Sequence, residues 1–144
     1  GSSAGRISSP SMIRVEIPSQ LLACARPGYD FGCNEPVSPE TLQTWMEEAK
    51  AQGARSILCL LAVDHLRLYE GAFPGGLLEA YRKAGFEVSH IPIGDHRKPP
   101  LTERQLRRVL RQFKHLPKPV LVHCSAGLDR TGAAVAFIKG QVGG

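Results

Sequence analysis

Aromatic residues are scarce: five Phe, three Tyr and one Trp, 6% of the 144 residues. So few rings leave little from which to build a stacking platform for single-stranded nucleic acid, and that function class is disfavoured at the outset. Long apolar runs are also missing, since none approaches the roughly 20 residues needed to span a bilayer. The cysteines at positions 24, 33, 59 and 124 form no C-x-x-C pair and no Cys/His spacing suited to zinc, so no metal and no other cofactor is expected. Cys24 and Cys59 sit inside apolar stretches and read as buried free thiols of a reducing compartment. The cytoplasm is the location this implies. The first stretch, GSSAGRISSPS, has neither the apolar core of a signal peptide nor an Arg-rich amphipathic character. Residues 1–11 read as a cloning scar, and residues 12–144, from Met12, as a single domain.

Acidic residues are missing from one segment in particular. Between His96 and Lys118 stand eight basic residues (Arg97, Lys98, Arg104, Arg107, Arg108, Arg111, Lys114, Lys118) against Glu103 alone, in a chain of net charge +5. This is either a solvated helix face or a field that draws an anionic substrate or surface.

What is present is an alternation of strand and helix signals. Segments 13–17, 21–25, 55–62, 86–93 and 119–124 read as strands; 57–62 and 120–122 are continuous apolar runs of the kind buried on both faces of a sheet. Ser38 and Pro39 read as the cap and first residue of a helix that Gly53 stops. A shorter helix over 75–85 also ends at a glycine. Thr102 caps another, in which Leu106, Val109, Leu110 and Phe113 make one buried stripe and Arg104, Arg107, Arg108 and Arg111 turn outward. The pattern predicts an α/β domain, with a central, largely parallel sheet flanked by helices. In such sheets ligands bind beyond the carboxyl ends of the strands.

That edge is where the run PVLVHC (119–124) delivers Cys124. It opens HCSAGLDRTG (123–132), with five residues between the cysteine and Arg130, and a helical segment follows over 130–140. If residues 124–130 form a tight loop entering a helix, the loop N–H groups converge into an anion nest reinforced by the helix dipole. Gly127 admits a conformation closed to residues with side chains, and Ala126 keeps the rim low. Arg130 supplies a planar fork of donors for two phosphate oxygens. The same field stabilises a thiolate, so Cys124 is a candidate nucleophile at the bottom of a phosphate cradle.

The run His123-Cys124-x5-Arg130-Thr131 resembles the signature of the cysteine-dependent protein tyrosine and dual-specificity phosphatases. ARPG (25–28), GARSILCLL (53–61), LLEAYRKAGFEVSHIPIGDHRKPPLT (77–102) and VLVHCSAGLDRTG (120–132) stand in the order seen in small atypical dual-specificity phosphatases of prokaryotic type. The resemblance covers most of residues 21–138 and implies a protein tyrosine phosphatase-like fold and a phosphocysteine intermediate formed without metal. It makes Cys124 the nucleophile and assigns phosphate binding to Arg130 and to the loop residues Ser125, Ala126, Gly127, Leu128 and Asp129. Thr131 would hydrogen-bond the sulfur, and His123 would orient the cysteine backbone. Asp95, in IPIGDHRKPP, matches the position of the family's movable acid loop and is the expected proton donor to the leaving group.

Two features depart from the commonest pattern. Asp129 stands inside the loop, as in myotubularin-like and Sac-type phosphoinositide phosphatases and some bacterial enzymes of broad specificity. It would either share or replace the acid role of Asp95, or hold the loop by hydrogen bonds. Ala126 and Leu128 occupy positions where the lipid enzymes often carry a basic residue. In addition, only fourteen residues follow Arg130, whereas relatives continue with further helices. Cover from a neighbouring subunit, a fragment of a longer chain, and a minimal branch of the family all remain open.

The expected function is therefore hydrolysis of a phosphomonoester on a phosphorylated protein or peptide, at phosphotyrosine and also at phosphoserine or phosphothreonine. The alternatives are a phosphatase for phosphoinositides, inositol phosphates or RNA 5′ ends, engaging an anionic lipid or nucleic-acid phosphate, and a phosphate-binding module without catalysis. Cys59, on a strand expected beside the loop strand, is the first suspect for a redox partner of Cys124, against the plainer reading of an inert core thiol. Oligomeric state cannot be read from these residues.

Overall fold

The computed structural model describes residues 13–28, 37–93, 101–124 and 129–143. Its strands are β1 (Arg14–Ile17), β2 (Leu21–Cys24), β3 (Ser56–Cys59), β4 (Glu87–His90) and β5 (Val120–His123). They form one five-stranded sheet in the order β1-β2-β5-β3-β4. β2, β5, β3 and β4 are mutually parallel, and β1 pairs antiparallel at the edge, so the sheet is largely parallel as the alternation predicted. Each observed strand is four residues long. The apolar run after Cys59 leaves the strand, because the pairing with β4 and β5 ends there.

The helices are α1 (Pro39–Ala51), α2 (Val63–Leu66), α3 (Leu77–Lys83), α4 (Glu103–His115) and α5 (Asp129–Ile138). Ser38 caps α1, its Oγ accepting from the Thr41 N–H at 3.2 Å, with Pro39 in the first turn. α4 opens with a reciprocal capping box: Thr102 Oγ1 accepts from Gln105 N–H at 3.2 Å, while Gln105 Oε1 accepts from Thr102 N–H at 2.9 Å. Gly53 and Gly85, both at positive φ, follow α1 and α3 as the stop signals predicted. The short α2 and the 3₁₀ turn Arg67–Tyr69 were not anticipated, since four apolar or charged residues give no helical period to read. Among the described residues no helix is long and apolar enough to cross a membrane.

Strand alternation sorts the core into two layers. Leu22, Cys24, Ile57, Cys59 and Leu121 face α1 and α3, packing with Leu42, Met46, Ala49, Leu77, Ala80 and Tyr81. Leu21, Ala23, Leu58, Leu60, Val120, Val122 and Cys124 face α4 and α5, packing with Val109, Phe113, Ala134, Val135 and Ile138. Burying a side chain such as Phe113 contributes about 2–3 kcal/mol. Leu106 and Leu110 are half-buried flanks of the predicted α4 stripe, and Arg104, Arg107, Arg108 and Arg111 are exposed, as the helical period required.

Candidate active site

The carboxyl ends of the parallel strands finish in one row. Cys24 of β2 and Cys59 of β3 are both in register with His123 of β5, and His90 of β4 is in register with Cys59. β5 is clamped between two neighbours, so the residue after it, Cys124, leaves the sheet at a defined point of this edge. α5 then starts at Asp129, bringing Arg130 and Thr131 back against the strand ends. His123, Cys124, Arg130 and Thr131 are all buried, none more than 3% exposed. Four of the residues that the loop signature singled out are thus buried where β5 ends and α5 begins.

Arg130 donates from Nη1 to the backbone carbonyl of Ile93 at 2.8 Å. That bond joins α5 to the segment leaving β4, two residues ahead of Asp95. Thr131 Oγ1 is buried without a hydrogen-bond partner among the described residues. Such a hydroxyl costs free energy unless something outside that set satisfies it, and it stands next to the arginine at the mouth of the loop. Asp95, Ser125, Ala126, Gly127 and Leu128 lie outside the described residues, as do Cys33, Arg97 and Lys98. Asp129 is described only as the first backbone position of α5.

His123 is held from three sides. Its Nδ1 lies 3.2 Å from the carbonyl oxygen of Cys124, which can only accept, so Nδ1 carries the proton. Nε2, 2.9 Å from the Tyr81 hydroxyl, is then the acceptor and Tyr81 the donor. Burial lowers the His123 pKa to about 4, and the charge of Arg26 acts in the same direction against the opposing hydrogen bond to Cys124. The ring is therefore neutral at ordinary pH and acts as a relay of orientation from Tyr81 to the backbone of Cys124. Trp45 of α1 packs edge-on against this ring at 5.4 Å and stacks on Tyr81 at 5.4 Å. The Trp45 indole N–H donates to Ala25 O at 3.1 Å, fixing the aromatic group to the end of β2.

A buried arginine completes the edge. Arg26, 1% exposed, donates to the Tyr69 hydroxyl at 3.1 Å, and Tyr69 in turn donates to Pro27 O at 2.6 Å. The following Gly28 has φ +72°, and a Cβ there would come within 3.0 Å of Val37. ARPG is thus a turn in which only glycine fits at the fourth position. Tyr81, Trp45 and Arg26 were missed as site-supporting residues. For Arg26 a signal existed, a charged residue directly after an apolar strand. Tyr81 and Trp45 look like ordinary members of apolar helix stripes, and only strand register shows which histidine they meet.

Cys59 does lie on the strand beside β5, and the pleat favours the plainer reading of an inert core thiol. Cys59 and Cys24 point to the layer of α1 and α3, whereas Cys124 packs in the layer of α4 and α5. Burial pushes both core thiols up to about 12, which keeps them protonated and unreactive.

Residues 32–142 match the family described as Tc-R-P: polymorphic toxin system, DSP-PTPase phosphatase. The chain belongs to that family. The Tc-R-P phosphatases fall within the superfamily of cysteine phosphatases of the tyrosine and dual-specificity type. Solved structures agree on the fold. Tk-PTP in its active form is 23% identical at a TM-score of 0.64, covering 94% of this chain and 77% of its own. Kinase associated phosphatase, crystallised with its catalytic-site cysteine changed to serine, is 22% identical at a TM-score of 0.60, with 82% of this chain covered. A DUF442 protein from Shewanella putrefaciens CN-32 is 19% identical at 0.58, covering 92% of this chain and 74% of its own. This chain spans only 65% of the length of kinase associated phosphatase. No curated protein matches the sequence.

Proposed function

We propose that the protein is a metal-independent phosphomonoesterase working through a phosphocysteine, with phosphorylated protein or peptide as substrate. The observation that carries this reading is that Cys124, directly after β5, and Arg130 and Thr131, in the first turn of α5, are all buried. All three lie inside the stretch matched by a phosphatase family.

In the first step the Cys124 thiolate attacks phosphorus. A sulfur–phosphorus bond forms, the phosphorus–oxygen bond to the leaving group breaks, and the leaving oxygen takes a proton from Asp95, with Asp129 as the second candidate donor. Arg130 and the N–H groups of residues 125–130 hold the equatorial oxygens as charge redistributes. A guanidinium has five N–H donors, so a bond to Ile93 O is compatible with a two-point clamp on phosphate. In the second step water attacks the phosphocysteine, gives its proton to the same carboxylate, and the sulfur departs as thiolate. The Thr131 hydroxyl is suited to donate to that sulfur, which would satisfy its buried oxygen. His123 holds the Cys124 backbone and takes no proton, because burial keeps it neutral.

The test is phosphate release from p-nitrophenyl phosphate without added metal, comparing wild type with Cys124→Ser. Activity in the wild type and none in the variant is expected; equal activity in both would sink the cysteine mechanism. The family description, a DSP-PTPase phosphatase of polymorphic toxin systems, supports the phosphatase reading. The exposed arginines of α4 and the presence of Asp129 favour a second reading, a phosphatase for phosphoinositides, inositol phosphates or RNA 5′ ends. Comparing kcat/KM across phosphopeptides and these polyanions separates the two.

A further inference from the structure

The outer face of α4 carries a row of charge that neither the core nor the catalytic edge uses. Arg104, Arg107, Arg108 and Arg111 lie side by side on this face, with Glu103 and Gln112 beside them. Glu103 pairs with Arg107 at 2.6 Å. Arg104, Arg108 and Arg111 have no carboxylate within ion-pair reach among the described residues. Gln112 Oε1 accepts from the Ser89 hydroxyl of β4 at 2.9 Å, which ties this side of the helix to the sheet. The opposite face of the helix buries Val109 and Phe113, so folding makes no demand for arginine on the outer one. Solubility would be served equally by mixed charge.

The row follows the spacing i, i+3, i+4, i+7 and runs about 10 Å along the helix. α4 connects two parallel strands and so runs against them. Its Arg104 end therefore lies toward the carboxyl edge where Cys124 emerges, and Arg111 lies farther from it. All four residues are arginine, whose planar fork pairs two-on-two with a carboxylate, rather than lysine, which acts as a point charge. No large apolar side chain stands on this face to enter a bilayer, and no aromatic ring stands among the arginines to stack a base.

We propose that the outer face of α4 is a docking surface for an acidic protein segment. Carboxylates of the partner lie along Arg104, Arg108 and Arg111 while its phosphorylated residue enters the Cys124 edge. The docking claim rests on the charge and spacing of α4; only its link to substrate rests on the phosphatase reading above.

The test uses a variant carrying Arg104→Gln, Arg108→Gln and Arg111→Gln, all exposed and outside the catalytic machinery. Two phosphotyrosine peptides are compared, one with four glutamates at i, i+3, i+4, i+7 and one with glutamines in their place. For the acidic peptide the triple variant should raise KM about tenfold with kcat unchanged, as expected from three exposed ion pairs. Turnover of the glutamine peptide and of p-nitrophenyl phosphate should stay the same. Fluorescence anisotropy with the unphosphorylated acidic peptide reads docking without chemistry and should show the same loss, with a salt dependence that the variant lacks. Unchanged KM and anisotropy in the variant would overturn the proposal, as would tighter binding of duplex DNA or phosphatidylserine vesicles than of the peptide. A wild type that hydrolyses no phosphoester but binds the acidic peptide through these arginines would sink the phosphatase reading and leave the docking surface standing.

Discussion

The two faces of the sheet differ in what they hold. On the α1 and α3 side, the carboxyl edge is finished by a buried network of ring and hydroxyl: Trp45, Tyr81 and His123, with Arg26 and Tyr69 beside them. On the α4 and α5 side the core is aliphatic except for Phe113 and Cys124, and Arg130 is buried in the first turn of α5. One side is built to fix geometry, with every polar atom of the imidazole bonded. The other presents the sulfur and the guanidinium that the proposed chemistry would use. A single peptide unit, His123 to Cys124, joins them, because successive residues of a strand point to opposite faces.

Arg130→Lys keeps the charge and loses the fork, so kcat should fall by roughly a hundredfold or more while the melting temperature moves little. A large melting shift instead would show Arg130 to be a structural residue. Phe113→Ala empties the aliphatic layer and should cost about 3–5 kcal/mol in chemical denaturation, whatever it does to rate.

The pH dependence of stability tests the other face. His123 binds its proton near pH 6.5 when unfolded and only near pH 4 when folded. Between these values the unfolded state holds more protons, so stability falls as pH drops from 6.5 to 4, by up to about 3 kcal/mol for this group. His123→Asn should flatten that part of the profile; an unchanged slope would show that other groups dominate it. The smallest effect is expected for Tyr81→Phe, which leaves Nε2 without its donor. It should cost about 1–2 kcal/mol of stability and lower kcat with KM unchanged. A change confined to the melting temperature would mean that the histidine holds the cysteine without help from Tyr81.

Much of the fold was legible because it rests on local rules. The Ser38–Pro39 start, the Thr102 cap and the stops at Gly53 and Gly85 depend on side chains within four residues of the backbone they act upon. The α4 stripe follows from helical period alone. α2 and the turn over Arg67–Tyr69 escaped because their conformation is imposed by Tyr69 packing into the core and bonding to Arg26 and Pro27, forty-two or more residues away in the chain. The site was legible in the same measure. Cys124, Arg130, Thr131 and His123 lie within nine residues of one another, and that short spacing is what marks the candidate site. Tyr81, Trp45 and Arg26 were not legible, since each meets the site only through strand order.

By itself, then, the sequence determined the alternation of elements, the apolar strand that ends in Cys124 and the basic outer face of α4. These follow from side-chain type and period, which act over a few residues. The tertiary structure alone decided that β5 runs between β2 and β3. It thereby set Cys24, Cys59 and His123 in one row, turned both core thiols away from Cys124, and brought Tyr81 to the far nitrogen of His123. Those relations depend on register between strands far apart in the chain, and register is set when whole faces of the sheet bury their apolar side chains together.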